Sequence, residues 1–270
     1  MYVWILILIF IVIYVIVFHY EQIDTFKNSC VKNTINNNNL DIYLINLNRN
    51  LERRHFFIEQ YQKSDLNTIV FKRISAIDGK QLNIQEFVTP LAYKEIRQIH
   101  DTGHRIKHYQ LTEGAVGCYL SHLIAYDHIA SNDKEYGLIF EDDVKIDVKI
   151  LNKINKLVNS IPNDWDILLL SCHCIICDKK EIYYNTERFF WLHSYIIKKE
   201  SAKKLSLMLK KKLVEQQIDS ELSDMATKGI IKIYCSKENM SQQTGFFATE
   251  IQTPVKLTNG IDPYISILAI

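Results

Sequence analysis

Glycine and proline are scarce, eight and four in 270 residues. That scarcity excludes a collagen-like chain and a Pro/Gly low-complexity chain. An excess of one charge is also missing: 32 Lys and Arg against 31 Asp and Glu leave a net charge of +1. A protein held to nucleic acid mainly by phosphate neutralisation would be strongly basic, so no nucleic-acid partner is expected. No internal repeat is visible. What the chain does have is apolar content, 47% of its residues. This is enough surface to build a core, and it excludes wholesale disorder. The length fits one large domain or two small ones.

A single long apolar run stands at the start. Tyr2 to Phe18 reads YVWILILIFIVIYVIVF, 17 residues without a charge. A core helix so uniformly apolar would have no face to show to water. A cleaved signal peptide would want a basic n-region and a small-residue cleavage site, and neither is present. Residues 1–20 are therefore expected to form an uncleaved signal-anchor transmembrane helix. Its helical length of about 25 Å suits a thin early-secretory bilayer, so the expected setting is a single-pass protein of an ER/Golgi-type membrane with its globular part in the lumen. Lys27 and Lys32 follow the segment and say little about orientation. Residues 21–39, ending in Asn36-Asn37-Asn38-Asn39, read as a stalk. The globular part is expected over 40–250, with a tail over 251–270.

Within the globular part, strands are expected at 41–47, 69–74, 136–140, 166–170, 190–197 and 230–235. Helices are expected at 48–63, from Thr112 as N-cap to about 131, and at 148–160, 200–212 and 218–228. Strands alternating with helices predict an α/β fold with a mixed, mostly parallel sheet. Ligands of such sheets bind at the carboxyl ends of strands.

Glu141-Asp142-Asp143 directly follows the apolar strand ending at Phe140. Three carboxylates there repel one another, and a hard divalent cation such as Mn²⁺ or Mg²⁺ would relieve them. The plainer alternative is an acidic turn before the next element. Cys172-His173-Cys174-Ile175-Ile176-Cys177 offers thiols and an imidazole, but its CxCxxC spacing has no second paired cluster, so a structural zinc is not expected. The stretch is expected to form the end of the 166–170 strand and the loop beyond. In an oxidising lumen some of the six cysteines could pair; Cys118, mid-helix, is expected to pack as a small hydrophobe.

A set of motifs in order resembles glycosyltransferase family 25, which includes lipopolysaccharide and procollagen galactosyltransferases. The helix Gly114-x-x-Gly117-Cys118-x-x-Ser121-His122 is followed by the strand ending in Glu141-Asp142-Asp143. Ile45-Asn46-Leu47 with Arg49, Arg53 and Arg54 precedes them, as does Arg73-x-x-Ala76-x-Asp78-Gly79. Asp164-Trp165-Asp166, Ser194–Ile197, Ser201–Leu205, Ile218-Asp219 and Gln242 or Gln243 follow. The resemblance spans about 41–243. It implies a GT-A-type, Rossmann-like catalytic domain using a UDP-sugar, most often UDP-galactose, with a glycan or a protein hydroxyl of the hydroxylysine type as acceptor. It implies that Glu141 and Asp143 hold Mn²⁺ or Mg²⁺, with Asp142 between them, and that Asn46, Arg53, Asp78, Gly79, Ser121, His122 and Asp142 border the donor.

An inverting displacement needs a base beside the acceptor hydroxyl. The resemblance points to Asp219, with Glu221 in reserve, although Asp219-Ser220-Glu221 could equally open a helix. His122 could touch donor phosphate or fill a polar niche. Arg53 could pair with phosphate or face solvent. Asp78-Gly79 reads physically as a turn. Two other readings compete with a transferase: a glycan-binding or scaffold protein that kept the fold and lost the chemistry, and a metal-dependent phosphoesterase.

Overall fold

Alternating side chains along buried strands lay out the architecture. On β1 (Leu40–Asn46) Tyr43 and Ile45 enter one apolar cluster, while Ile42 and Leu44 enter another. The same division holds on β3 (Tyr136–Glu141), where Ile139 opposes Leu138 and Phe140, and on β8 (Ser194–Lys198), where Tyr195 and Ile197 oppose Ile196. A strand whose two faces are both apolar must be covered twice. One face is covered by α2 (Pro90–Thr102), α3 (Glu113–Ser131), α5 (Lys199–Leu209) and α6 (Ile218–Thr227). The other is covered by α1 (Leu51–Lys63), through Phe57 and Tyr61, and α4 (Ile150–Val158), through Ile150 and Ile154. The result is a three-layer α/β/α domain. The computed structural model describes residues 34–105, 110–247 and 251.

The remaining strands are β2 (Phe71–Ser75), β4 (Val144–Ile146), β5 (Ile167–Leu169), β6 (His173–Lys179), β7 (Tyr183–Phe190), β9 (Ile233–Ser236) and β10 (Ser241–Gln243). Eight strands form one sheet in the order β2-β1-β3-β8-β5-β9-β7-β6, and β10 pairs with β4 separately. β1 runs parallel to β2 and β3, and β5 parallel to β9. The other four pairings of the large sheet, β3–β8, β5–β8, β7–β9 and β6–β7, are antiparallel.

The expected fold class is thereby corrected in two respects. The sheet is mixed, not mostly parallel, because β8 runs against both its neighbours and the β6–β7 hairpin adds two further antiparallel pairings. Among the described residues, no helix is long and apolar enough to cross a membrane. The run at 2–18 expected to do so lies outside the described residues, as do the 252–270 part of the tail and most of the stalk. Where the stalk is described, Ile35 is fully buried, its N–H donating to Asn155 Oδ1 at 2.7 Å and its carbonyl accepting from Asn155 Nδ2 at 3.0 Å.

Local signals account for most element ends. Thr112 caps α3 by accepting from the Ala115 N–H at 3.0 Å, an interaction worth about 1 kcal/mol. The α2 helix, absent from the expected elements, has a Thr89 cap, Pro90 in its first turn and Gly103 at φ 70° after its end. The Cys172–Cys177 stretch, expected to form the end of the 166–170 strand and the loop beyond, enters from His173 onward a separate edge strand, β6, with exposed Ile175 and Ile176. Register shifts around Ile176 break the two-residue alternation that would have marked it.

Candidate active site

Three parallel strands end side by side. Asn46 lies opposite Ser75 across β1–β2, and Ile45 opposite Glu141 across β1–β3. Side chains at these ends project into an open chamber lined by Asn46, Arg49, Arg53, Asp78, Gly79, Glu141, Asp142 and Asp143, among others. A second open chamber is lined by Trp191, His193, Gln217 and Asp219, among others. Glu141, Cys118 and Gln243 belong to both linings.

The three adjacent carboxylates have separate partners. Asp142 accepts from Asn46 Nδ2 at 2.7 Å and lies 2.8 Å from Arg53 Nε. Burial outweighs these contacts and pushes its carboxyl up to about 6. Asp143 Oδ2 takes Arg53 Nη2 at 2.5 Å and Gln243 Nε2 at 3.0 Å. Burial, followed by the Glu141 charge, raises the Asp143 carboxyl. Glu141 Oε1 lies 3.3 Å from His122 Nε2. Burial alone would raise the Glu141 carboxyl, but the His122 contact, with His193 and Arg53 beyond it, holds it below its ordinary value.

Behind Glu141 runs a buried polar chain. His122 Nδ1 meets the Tyr195 hydroxyl at 2.8 Å, and that hydroxyl donates to Tyr126 at 3.0 Å. His122 is fully buried, belongs to neither lining, and meets the chambers through Glu141. Ser121, which lines the first chamber, is equally buried. Its Oγ accepts from the Ile77 N–H at 2.8 Å and donates to the Gly117 carbonyl at 2.6 Å, which fastens the 76–79 turn to α3. The fastening needs glycine on both sides. A Cβ on Gly79 would stand 1.7 Å from the Glu113 carbonyl oxygen, and one on Gly117 would stand 2.4 Å from that of Ile77. Seated so closely, the turn presents Asp78 to the chamber, paired with Arg49.

Asp219 lies in the first turn of α6, but Gln217 is the N-cap residue. Its carboxylate accepts the backbone N–H of Ser220 at 2.8 Å, and the Trp191 backbone lies beside it. Burial prevails over these contacts and pushes the carboxyl up to about 6. Glu221 lines neither chamber: it is buried, paired with Lys212 and reached by Gln216 Nε2 at 3.4 Å.

Asp143 Oδ1 is buried without a hydrogen-bond partner, in a chamber where Glu141 supplies a second hard oxygen donor. Both are hard oxygen donors of the kind Mn²⁺ or Mg²⁺ takes, whereas the cluster of three potential ligand atoms found within 4.8 Å of one another among the described residues is Cys118, His122 and Glu141. Sequence reasoning passed over Trp191, His193 and Gln217. Trp191 has φ 75°, which no neighbouring residue type announces, and burial pushes the His193 imidazole below its ordinary value.

The family model described as glycosyltransferase family 25 (LPS biosynthesis protein) matches residues 39–221. Procollagen galactosyltransferase 1 of Danio rerio is 27% identical over 208 residues, 73% of this chain and 33% of that protein. Procollagen galactosyltransferase 2 of Homo sapiens is 25% identical over 175 residues, 61% of this chain and 27% of that one. A Bos taurus protein named "Probable inactive glycosyltransferase 25 family member 3" is 21% identical over 174 residues, 61% of this chain and 28% of that protein. The chain spans a third or less of the length of these relatives. The family match covers β1, the turn on α3, the Glu141-Asp142-Asp143 end of β3 and the first turn of α6, and on that ground the chain belongs to glycosyltransferase family 25.

Proposed function

We propose that this chain is a metal-dependent glycosyltransferase that moves galactose from UDP-galactose to a hydroxyl of a glycan or of a protein, hydroxylysine-type, by a single inverting displacement. The observation that carries the reading is the wall shared by two chambers, with Glu141 on both linings and Asp219 on the far side. A displacement needs a donor and an acceptor on opposite sides of one reacting carbon, and adjoining chambers supply that arrangement. The names of the relatives support galactose as the sugar.

In this reading the first chamber takes the nucleotide diphosphate, with Arg49, Asn46 and the Asp78-Gly79 turn along its wall. Glu141 and Asp143 would hold Mn²⁺ or Mg²⁺, and the bound ion would neutralise charge developing on the departing diphosphate. Ser121 and His122 act from behind, one by holding the turn and the other by orienting Glu141. Asp219 accepts the proton of the acceptor hydroxyl; a carboxylate of raised pKa is a stronger base yet still ionised at neutral pH. The pairing of Cys172 with Cys235 supports an oxidising, secretory-lumen setting for the domain.

One contact favours a second reading. Arg53 lies against both Asp142 and Asp143, supplying within the protein part of the charge an ion would bring. A donor-binding or scaffold protein without turnover would keep such a clamp. Release of UDP from UDP-galactose with Mn²⁺, in the presence of saccharide and hydroxylysine-peptide acceptors, separates the two. The transferase reading expects turnover that Asp143→Ala abolishes. UDP-galactose binding without glycoside formation would establish the second reading.

A further inference from the structure

We propose that Trp191 is a stacking platform for a pyranose ring of the acceptor, so that the second chamber selects a saccharide. The proposal rests on the transferase reading and extends it to the class of acceptor.

Four observations converge on this side chain. First, Trp191 holds φ 75° and is the only non-glycine residue with positive φ among the described residues. An L-residue pays roughly 1–2 kcal/mol for that conformation, and strain of this kind collects at ligand clamps. Second, the indole is 48% exposed, whereas Trp165 is 1% exposed. His173 and His193 approach the ring at centroid distances of 5.3 and 6.5 Å, and the rest of the side chain is left to water beside the chamber it lines. Third, the Trp191 backbone lies beside the Asp219 carboxylate and favours its charged form, so the ring and the proposed base stand at one place in the chamber. Fourth, the lining beside the ring mixes apolar Leu192, Ile218 and Ile251 with the planar hydrogen-bonding groups of Gln217, Gln243, Asp219 and Glu141, and no Lys or Arg belongs to it.

This combination matches the two surfaces of a sugar. The C–H face of a pyranose packs on an aromatic plane, and its hydroxyls bond to planar amides such as that of Gln217. A lysyl-type amine would instead need an anion of its own. In the transferase reading Glu141 holds the ion and Asp219 takes the hydroxyl proton, so neither carboxylate is left for it. The saccharide is therefore the acceptor the lining favours.

The backbone supplies a clean test. Glycine adopts positive φ without strain, so Trp191→Gly removes the ring while leaving the backbone beside Asp219 in place. Trp191→Phe restores an aromatic face. Full-length protein is titrated with methyl galactoside, methyl glucoside and a hydroxylysine peptide, with tryptophan fluorescence and acceptor KM as readouts. The expected result is that a saccharide quenches the parent protein and that Trp191→Gly loses the quench. The saccharide KM then rises roughly tenfold relative to the UDP-galactose KM, with Trp191→Phe restoring most of it. An unchanged saccharide KM in Trp191→Gly, or binding of the peptide with no response to either saccharide, overturns the proposal. If no variant or parent turns over UDP-galactose, the transferase reading fails separately. The fluorescence titration still decides the platform, because a quench that survives in Trp191→Gly, or never occurs, refutes it.

Discussion

Taking the protein from pH 7.5 to pH 5 is expected to remove about nine-tenths of its transfer rate through one side chain, Asp219. The carboxyl is pushed from 3.8 to about 6 by burial. A general base works only when ionised, so activity is present above that value and lost as pH falls through it. With a pKa of about 6, the ionised fraction is roughly 0.97 at pH 7.5 and roughly 0.1 at pH 5. An unshifted aspartate would lose less than about a tenth over the same range. The assay is the initial rate of UDP release at saturating donor and acceptor, measured from pH 5 to 8. Asp219→Asn is expected to lower kcat by about 10²- to 10⁴-fold and to abolish the acid limb. Asp142 is also pushed up to about 6, so Asp142→Asn is the necessary control, and its residual activity is expected to keep the limb. A rate that stays flat down to pH 5, or an Asp219→Asn enzyme within tenfold of the parent, would refute the assignment.

Two further outcomes are expected. Ser121→Ala leaves the Ile77 N–H without its buried acceptor, so urea unfolding should report a loss of about 1–3 kcal/mol and the donor KM should rise severalfold; a stability change below about 0.5 kcal/mol would show that the turn is held by other means. Glu221→Gln should keep turnover within about twofold while losing about 1 kcal/mol of stability, since its Lys212 partner is partly exposed; loss of most turnover would transfer the role of base from Asp219 to Glu221.

Much of the site was legible because chemistry forced it into short motifs. Three carboxylates after an apolar strand, a threonine ahead of a long helix and an Asp-Gly turn each announce themselves locally. The direction of β8 did not, because a strand buried on both faces reads the same whether its neighbours are parallel or antiparallel. The apolar run 190–197 was read as one strand, yet the left-handed backbone at Trp191 divides it between the end of β7 and the start of β8. Arg53 could be placed on a helix from sequence, but that it faces Asp142 and Asp143 follows only from how α1 lies against the end of β3. The partner of Glu221 was equally hidden, since Lys212 lies beyond α5 and approaches through a loop.

The glycine-to-glycine seating of the 76–79 turn on α3 limits how the nucleotide side of the protein can change. Where backbone rests on backbone, there is no side chain to lengthen or shorten, so the spacing between that turn and the helix is not adjustable by substitution. Variation in what the chamber accepts must therefore come from groups that project off the turn, Asp78 above all, while the loop itself works as a fixed jig.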